Sequence, residues 1–204
     1  MNLVNKAIKN LKINRMNGYY IENKEELFSL LDNLIPNKCI VGTGDSLTLE
    51  QLDVYQYLRE KDIDFLDKYD KNITKQEKKD IYIKNFSSDV FITGTNALSA
   101  QGEIFNIDGN GSRVAPMIYG PSKVILVVGI NKLVLDKQEA YDRVRQHAAP
   151  LDAIRLKKET PCTKLESCID CRHPQRICND FVLITSQFDS NRIHVIIYND
   201  ILGF

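Results

Sequence analysis

At 204 residues the chain is long enough for one well-covered core, and its 27 Lys plus Arg balance 27 Asp plus Glu. That neutrality leaves no global field to draw in nucleic acid or an anionic membrane, so neither partner is expected. The longest apolar runs, such as residues 124–130, are far too short to cross a bilayer.

The N-terminus carries Lys6, Lys9, Lys12 and Arg15 before any acidic residue, with Leu3, Val4, Ala7, Ile8 and Leu11 on one helical face. A transit peptide would be richer in Ser and Arg, so these residues read as a first helix lying across the domain. With no signal peptide, the expected location is cytoplasmic and reducing, and the five cysteines are not read as disulfides. Residues 18–21 are β-prone. Asn23 then offers an N-cap with Glu26 three residues on, opening a helix whose apolar face is Leu27, Leu30, Leu31 and Leu34; Pro36 follows its end.

Residues 39–41 form a short buried strand that runs into a glycine turn, and Leu49, Leu52, Val54 and Tyr57 give helical spacing, so 38–60 reads as a first βα unit. A strand at 63–66, a polar helix and a strand at 89–93 follow. The order β-α-β-α-β calls for an α/β fold with an open, mostly parallel sheet and right-handed crossovers. Residues 89–130 read as the central ligand-binding unit. Within it, 97–99 and 103–106 flank a tight turn, Asp108-Gly109-Asn110-Gly111 joins two turn dipeptides, and a helix is expected over about 113–119. Residues 123–128 are the most apolar strand and so the central one. A helix from 136 to about 147, a cysteine-bearing segment at 160–180, and strands at 182–185 and 193–198 complete a single domain over 1–204.

Three turns carry glycine beside small polar residues: Gly42, Thr43, Gly44, Asp45 and Ser46; Gly94, Thr95 and Asn96; and Asn110, Gly111, Ser112 and Arg113. In an open parallel sheet ligands bind beyond the carboxyl ends of the strands. Glycine admits close backbone approach, and the free N–H groups of a following helix favour an anion. Convergence of the three turns predicts a site for a phosphate, carboxylate or nucleotide, with Arg113 in a first helical turn supplying binding charge rather than packing. Gly42-Thr43-Gly44 lacks the third glycine of a dinucleotide fingerprint, and no P-loop run exists. The nearest carboxylates, Glu50, Glu103 and Asp108, are the only candidate catalytic bases, and each is also explained by solvation or turn formation.

Cys162, Cys168, Cys171 and Cys178 fall in the pattern C-x5-C-x2-C-x6-C within one polar loop. Free thiols in a reducing compartment stay buried or take up a soft metal, and packing does not explain four in one short loop. The four are expected to ligate a metal. Structural zinc favours two C-x2-C knuckles, whereas here only Cys168 and Cys171 have that spacing. A compact loop suits the corners of a 4Fe–4S iron–sulfur cluster and is similar to the cluster loop of endonuclease III-type DNA glycosylases, so the cluster is favoured over Zn2+. Cys39, at the start of an apolar strand, reads as a small core residue, and His173 as a solvated loop histidine.

Residues 41–50, from Val41-Gly42-Thr43-Gly44-Asp45-Ser46 to Glu50, resemble the first glycine motif of the LUD (lactate-utilisation) domain family. So do Ile92-Thr93-Gly94-Thr95-Asn96-Ala97, the run from Gly102 to Ala115, and Gly120-Pro121 with Lys123-Val124. A stand-alone bacterial subgroup shares Asn131-Lys132, residues 148–153, Thr160-Pro161-Cys162 and Arg176-Ile177-Cys178-Asn179. The resemblance implies a fold of the ribose-phosphate isomerase and CoA-transferase type, with a cysteine-rich loop inserted near the C-terminus. Aldose-phosphate isomerases place an aspartate where this chain has Asn96, and CoA transferases place a nucleophilic glutamate where it has Ala100; neither chemistry transfers. Because some LUD proteins belong to an iron–sulfur, lactate-oxidising system, the expectation is a redox-associated protein binding a small anionic metabolite. A redox protein partner and a homo-oligomer are its expected associates. Two alternatives stand beside it: an isomerase- or transferase-type enzyme with a structural zinc, and a non-catalytic ligand sensor.

Overall fold

The computed structural model describes residues 3–204. Helix α1 (Leu3–Ile13) presents Val4, Ala7 and Leu11 to the core, as its periodicity requires. Strand β1 (Asn17–Ile21) leads to α2 (Lys24–Leu34), where the Asn23 side chain caps the Glu26 N–H at 2.9 Å. Glu26 reaches back one residue further than a capping box demands, accepting from the Glu22 N–H at 3.1 Å.

Strand β2 (Ile40–Thr43) is followed by two short helices, α3 (Leu47–Gln51) and α4 (Val54–Glu60), where the spacing predicted one. Asp53 breaks them by adopting a left-handed φ of 59°. Strand β3 (Asp64–Phe65) is reduced to two residues, and α5 (Lys75–Lys84) starts on a full capping box between Thr74 and Glu77. Then come β4 (Val90–Gly94), the antiparallel pair β5 (Ala97–Ser99) and β6 (Ile104–Asp108), α6 (Ala115–Ile118) and β7 (Lys123–Gly129).

Beyond β8 (Leu133–Val134), α7 (Lys137–Asp142), a π-helical stretch Arg143–Ala148 and α8 (Ala149–Arg155) run on without a break. The expected end near 147 is thus overrun. Pro150 lacks the N–H of a regular turn, and the wider π turns just before it absorb that loss. The single turn α9 (Cys162–Leu165) opens the cysteine loop, and β9 (Asp180–Ile184) and β10 (Ile193–Tyr198) follow.

The main sheet is all parallel in the order β1-β10-β7-β4-β2-β3, with β7 inside as its apolar run predicted. A smaller mixed sheet, β8-β5-β6-β9, packs on one face of it. Alternation along β7 divides the core. Ile125 and Val127 face α2, α3 and α4, while Val124, Leu126 and Val128 face α1 and the small sheet. The far face of the small sheet, through Ala97, Phe105 and Ile107, is covered by Ala140, Val144 and Ala149 of the long helix. Cys39 sits in the first of these cores at 9% exposure, as a small apolar residue would.

Candidate functional site

The carboxyl ends of β2, β3, β4 and β7 all open on one cleft of about 540 Å³. Asp45 and Ser46 follow β2, Lys68 follows β3, Gly94, Thr95 and Asn96 end β4, and Lys132 follows β7. Asn110, Ser112 and Arg113 come over from the small sheet, and Asp152, Arg155 and Lys158 from the end of the long helix. The three glycine-bearing turns are therefore brought together. Gly111, half-buried with a φ of 78°, does not line the cleft, and Gly42, Thr43 and Gly44 lie behind its surface: a Cβ at Gly44 would stand 2.2 Å from Thr93 Oγ1 and 2.7 Å from Arg113 Cγ. Glycine here admits close packing of the floor rather than of a ligand.

Helix amides do not supply the charge that the sequence suggested. The β4 turn leads into β5, the β2 turn into the five-residue α3, and Arg113 precedes the four-residue α6 rather than lying in its first turn. In α3 the Ser46 hydroxyl already accepts from the Leu49 N–H. Asp108 Oδ1 similarly takes the N–H groups of Asn110 (3.2 Å) and Gly111 (2.9 Å).

Side chains supply it instead. Six cations, Lys68, Arg113, Lys132, Arg155, Lys158 and Arg176, line the cleft against three carboxylates, Asp45, Asp108 and Asp152. In a chain of formal net charge zero this is a local positive excess. Lys68 is 5% exposed, and among the described residues its amine makes no hydrogen bond; it lies 5.1 Å from the Tyr69 ring centroid and 5.7 Å from that of Tyr82. Burial pushes it down to about 8, against the opposing pull of Asp45. Lys132, also 5% exposed, donates to Thr48 Oγ1 at 2.9 Å; burial, then the cations Arg143 and Arg113, push it down to about 7. Sequence reasoning left both lysines out of the site. The signal that finds them is position: each stands three residues past the end of a parallel strand.

Arg113 lines the cleft, yet all its N–H groups point into the protein. Nε pairs with Asp108 at 3.2 Å, Nη1 donates to Asn106 Oδ1 at 2.6 Å and the Gly94 carbonyl at 3.4 Å, and Nη2 donates to Asn96 Oδ1 at 2.9 Å and the Ile107 carbonyl at 2.8 Å. The expectation that it offers charge rather than packing is corrected: the guanidinium staples the β4 turn to the β6 turn. Arg143 braces the same floor through the carbonyls of Asn96 (2.6 Å) and Asn131 (3.3 Å).

Of the candidate bases, only Asp108 reaches the cleft, and Arg113 holds it. Glu103 is buried away from it, on Lys137 at 2.9 Å and Ser99, and Glu50 is exposed outside it. Burial pushes the Asp45 carboxyl up, but the Tyr69 hydroxyl (2.6 Å), Lys68 and Arg155 (3.1 Å) outweigh it and hold the group below the usual carboxylate range.

Cys162, Cys168, Cys171 and Cys178 line one small cavity beside the cleft, with Ala149, Pro150, Ala153 and Ile177 among its apolar walls. All four thiols are free. Among the described residues, no group of three or more His, Cys, Asp or Glu is placed to hold a metal ion. The cavity and the cleft share a wall, since Arg176 and Ile177 line both. Arg176 donates to the carbonyls of Cys171 (2.6 Å) and Cys178 (2.8 Å), while its Nε is buried without a partner. The loop is also tied to the cleft's own turn, because Asn179 donates to the Asp108 carbonyl at 2.9 Å and the Gly109 carbonyl at 2.8 Å. His173 is half-buried and accepts from the Gln175 N–H at 3.2 Å.

A family model for the LUD domain matches residues 4–198. A crystal structure of a DUF162 family protein from Deinococcus radiodurans is similar, with a TM-score of 0.51 and 11% identity. The match covers 96% of this chain and 94% of that one, and at this identity it shows the fold. No curated protein matches the chain.

Proposed function

The chain belongs to the LUD domain family, and from that premise we propose that its cleft binds a small anionic metabolite beside an iron–sulfur centre held by the cysteine loop. The observation that carries this reading is the shared wall: Arg176 and Ile177 separate a cationic cleft from a cavity ringed by four free thiols. Lys68 draws the anion, since its buried amine lacks a carboxylate partner at hydrogen-bonding distance, and Arg155 and Lys158 extend the charge to the rim. The size suits a metabolite bearing a phosphate or carboxylate, up to a nucleotide.

The donor set fits a cluster better than a single ion. Zinc requires four thiolates converging at about 2.3 Å on one centre. Here only Cys168 and Cys171 have the C-x2-C spacing of a zinc knuckle, and the four thiols line one cavity. Cys162, Cys168, Cys171 and Cys178 would hold a 4Fe–4S cluster at its corners, and the cluster would supply one-electron transfer next to the ligand. A redox protein partner would be needed to deliver or take those electrons.

Anaerobic purification with an absorption spectrum and iron and sulfide analysis tests the centre. The expected result is broad visible absorption with about four iron and four sulfide per chain, lost on Cys168→Ser and kept on Cys39→Ser. One zinc per chain with no visible absorption would replace this reading by a structural staple.

A further inference from the structure

We propose that Lys132 is a nucleophilic amine, forming an imine with the carbonyl carbon of an anionic aldehyde or ketone bound in the cleft. The inference rests on the anion-binding reading above and adds to it the class of substrate. Lys132 follows the central strand β7, lines the cleft and is buried to 5% exposure, yet among the described residues no carboxylate pairs with it. Its one hydrogen bond, to Thr48 Oγ1, uses an N–H, and Thr48 passes its own proton to the Leu202 carbonyl at 3.4 Å. In the free base the nitrogen lone pair is therefore committed to nothing. Room for it is kept by Gly203, where a Cβ would come within 2.9 Å of the amine.

The charged groups around Lys132 are Arg143 and Arg113, which disfavour the ammonium, and Asp152, which favours it. Burial adds to the arginines' effect and brings the amine to about 7, so that a large share is unprotonated at neutral pH. An ordinary surface lysine is almost wholly protonated there. In the proposed step the Nζ electron pair attacks the carbonyl carbon, the C=O π pair moves to oxygen, and the oxygen takes a proton from solvent. The resulting ammonium carbinolamine then loses its hydroxyl together with one N–H proton as water to leave a protonated imine. Nothing is oxidised or reduced.

The test uses the intact protein with pyridoxal 5′-phosphate, an aldehyde carrying a phosphate, in the presence of cyanoborohydride, with adducts located by peptide mass mapping. Lys132 should label at least tenfold faster than any other lysine, at a rate that rises with pH to a plateau above about 7. Inorganic phosphate should slow it, benzaldehyde should label it far more slowly, and Lys132→Arg should abolish it. Labelling spread evenly over surface lysines, or unchanged in Lys132→Arg, overturns the proposal. The wild-type peptide map decides the matter even if the variant does not fold. Calorimetry with phosphate on the same wild-type protein separates the two readings. Phosphate bound with Lys132 unlabelled removes the amine and keeps the anion cleft. Lys132 labelled with neither binding of nor protection by phosphate removes the anion cleft and the anionic substrate class.

Discussion

Lys68 and Lys132 give the cleft its chemistry because each lines it from a largely buried position and, among the described residues, no carboxylate pairs with it. Burying a cation without a partner costs stability, so Lys68→Met should raise the melting temperature while weakening phosphate binding about tenfold. A lower melting temperature in Lys68→Met would show that the amine is satisfied in some other way. The same burial fixes a pH dependence. Both amines lie below the ordinary lysine value of 10.5, at about 8 and about 7. At these two sites the unfolded chain therefore holds more protons than the folded one between about pH 7 and pH 10, and their contribution to ligand-free stability rises with pH across that window. A bound anion favours the protonated amines, so the stabilisation added by phosphate shrinks as pH rises from about 7. Thermal melts with and without phosphate at pH 6.5 and 9 check both signs at once. Arg113 answers to a different measurement. With its donors on Asn96, Asn106, Asp108 and two carbonyls, Arg113→Lys should cost about 2–4 kcal/mol in denaturant unfolding. An unchanged midpoint would return it to the role of a ligand-facing charge.

Among the elements, the turns after β2 and β4 are shaped by how closely their backbones pass their neighbours. Gly44→Ala would drive a Cβ into Thr93 and the Arg113 side chain and should cost about 2 kcal/mol or more. In Gly94→Ala the new Cβ meets Ser46 Oγ at 2.5 Å, so the expected loss is that of the α3 cap, about 1 kcal/mol. Equal losses in the two variants would deny Arg113 its part in the floor. These elements also mark what the sequence made legible. Short apolar runs entering glycine turns identified β2 and β4, the most apolar run identified β7, and the turn at Gly102 identified the β5–β6 pair, because period and turn chemistry are local properties. The run of helix through Pro150 was not legible, since the π turns that tolerate it depend on packing against the small sheet. For Lys68 and Lys132 the chain offered only their position three residues past a strand, and their burial was not legible. Lys132 is enclosed by Thr48 and Gly203, which are far from it in sequence. The four cysteines were legible as a group; that their loop walls the cleft was not, because it follows from where Asn179 binds the Asp108 turn.

Over the whole molecule, zero formal charge conceals an uneven distribution, with the cationic excess gathered at one edge of the parallel sheet. The LUD fold brings the turns there, and the segment between α8 and β9 that carries the thiols closes the edge. If the cleft and the loop are one site, filling the loop must hold residues 174–177 in place as a wall, and each ligand must then raise the other's affinity by the same factor. The direct test is calorimetric titration of inorganic phosphate into cluster-loaded protein and into the same protein stripped of metal and kept reduced. Phosphate should bind about tenfold more weakly after stripping, with the main sheet still folded by circular dichroism. Equal phosphate affinity in the two forms would contradict a single site.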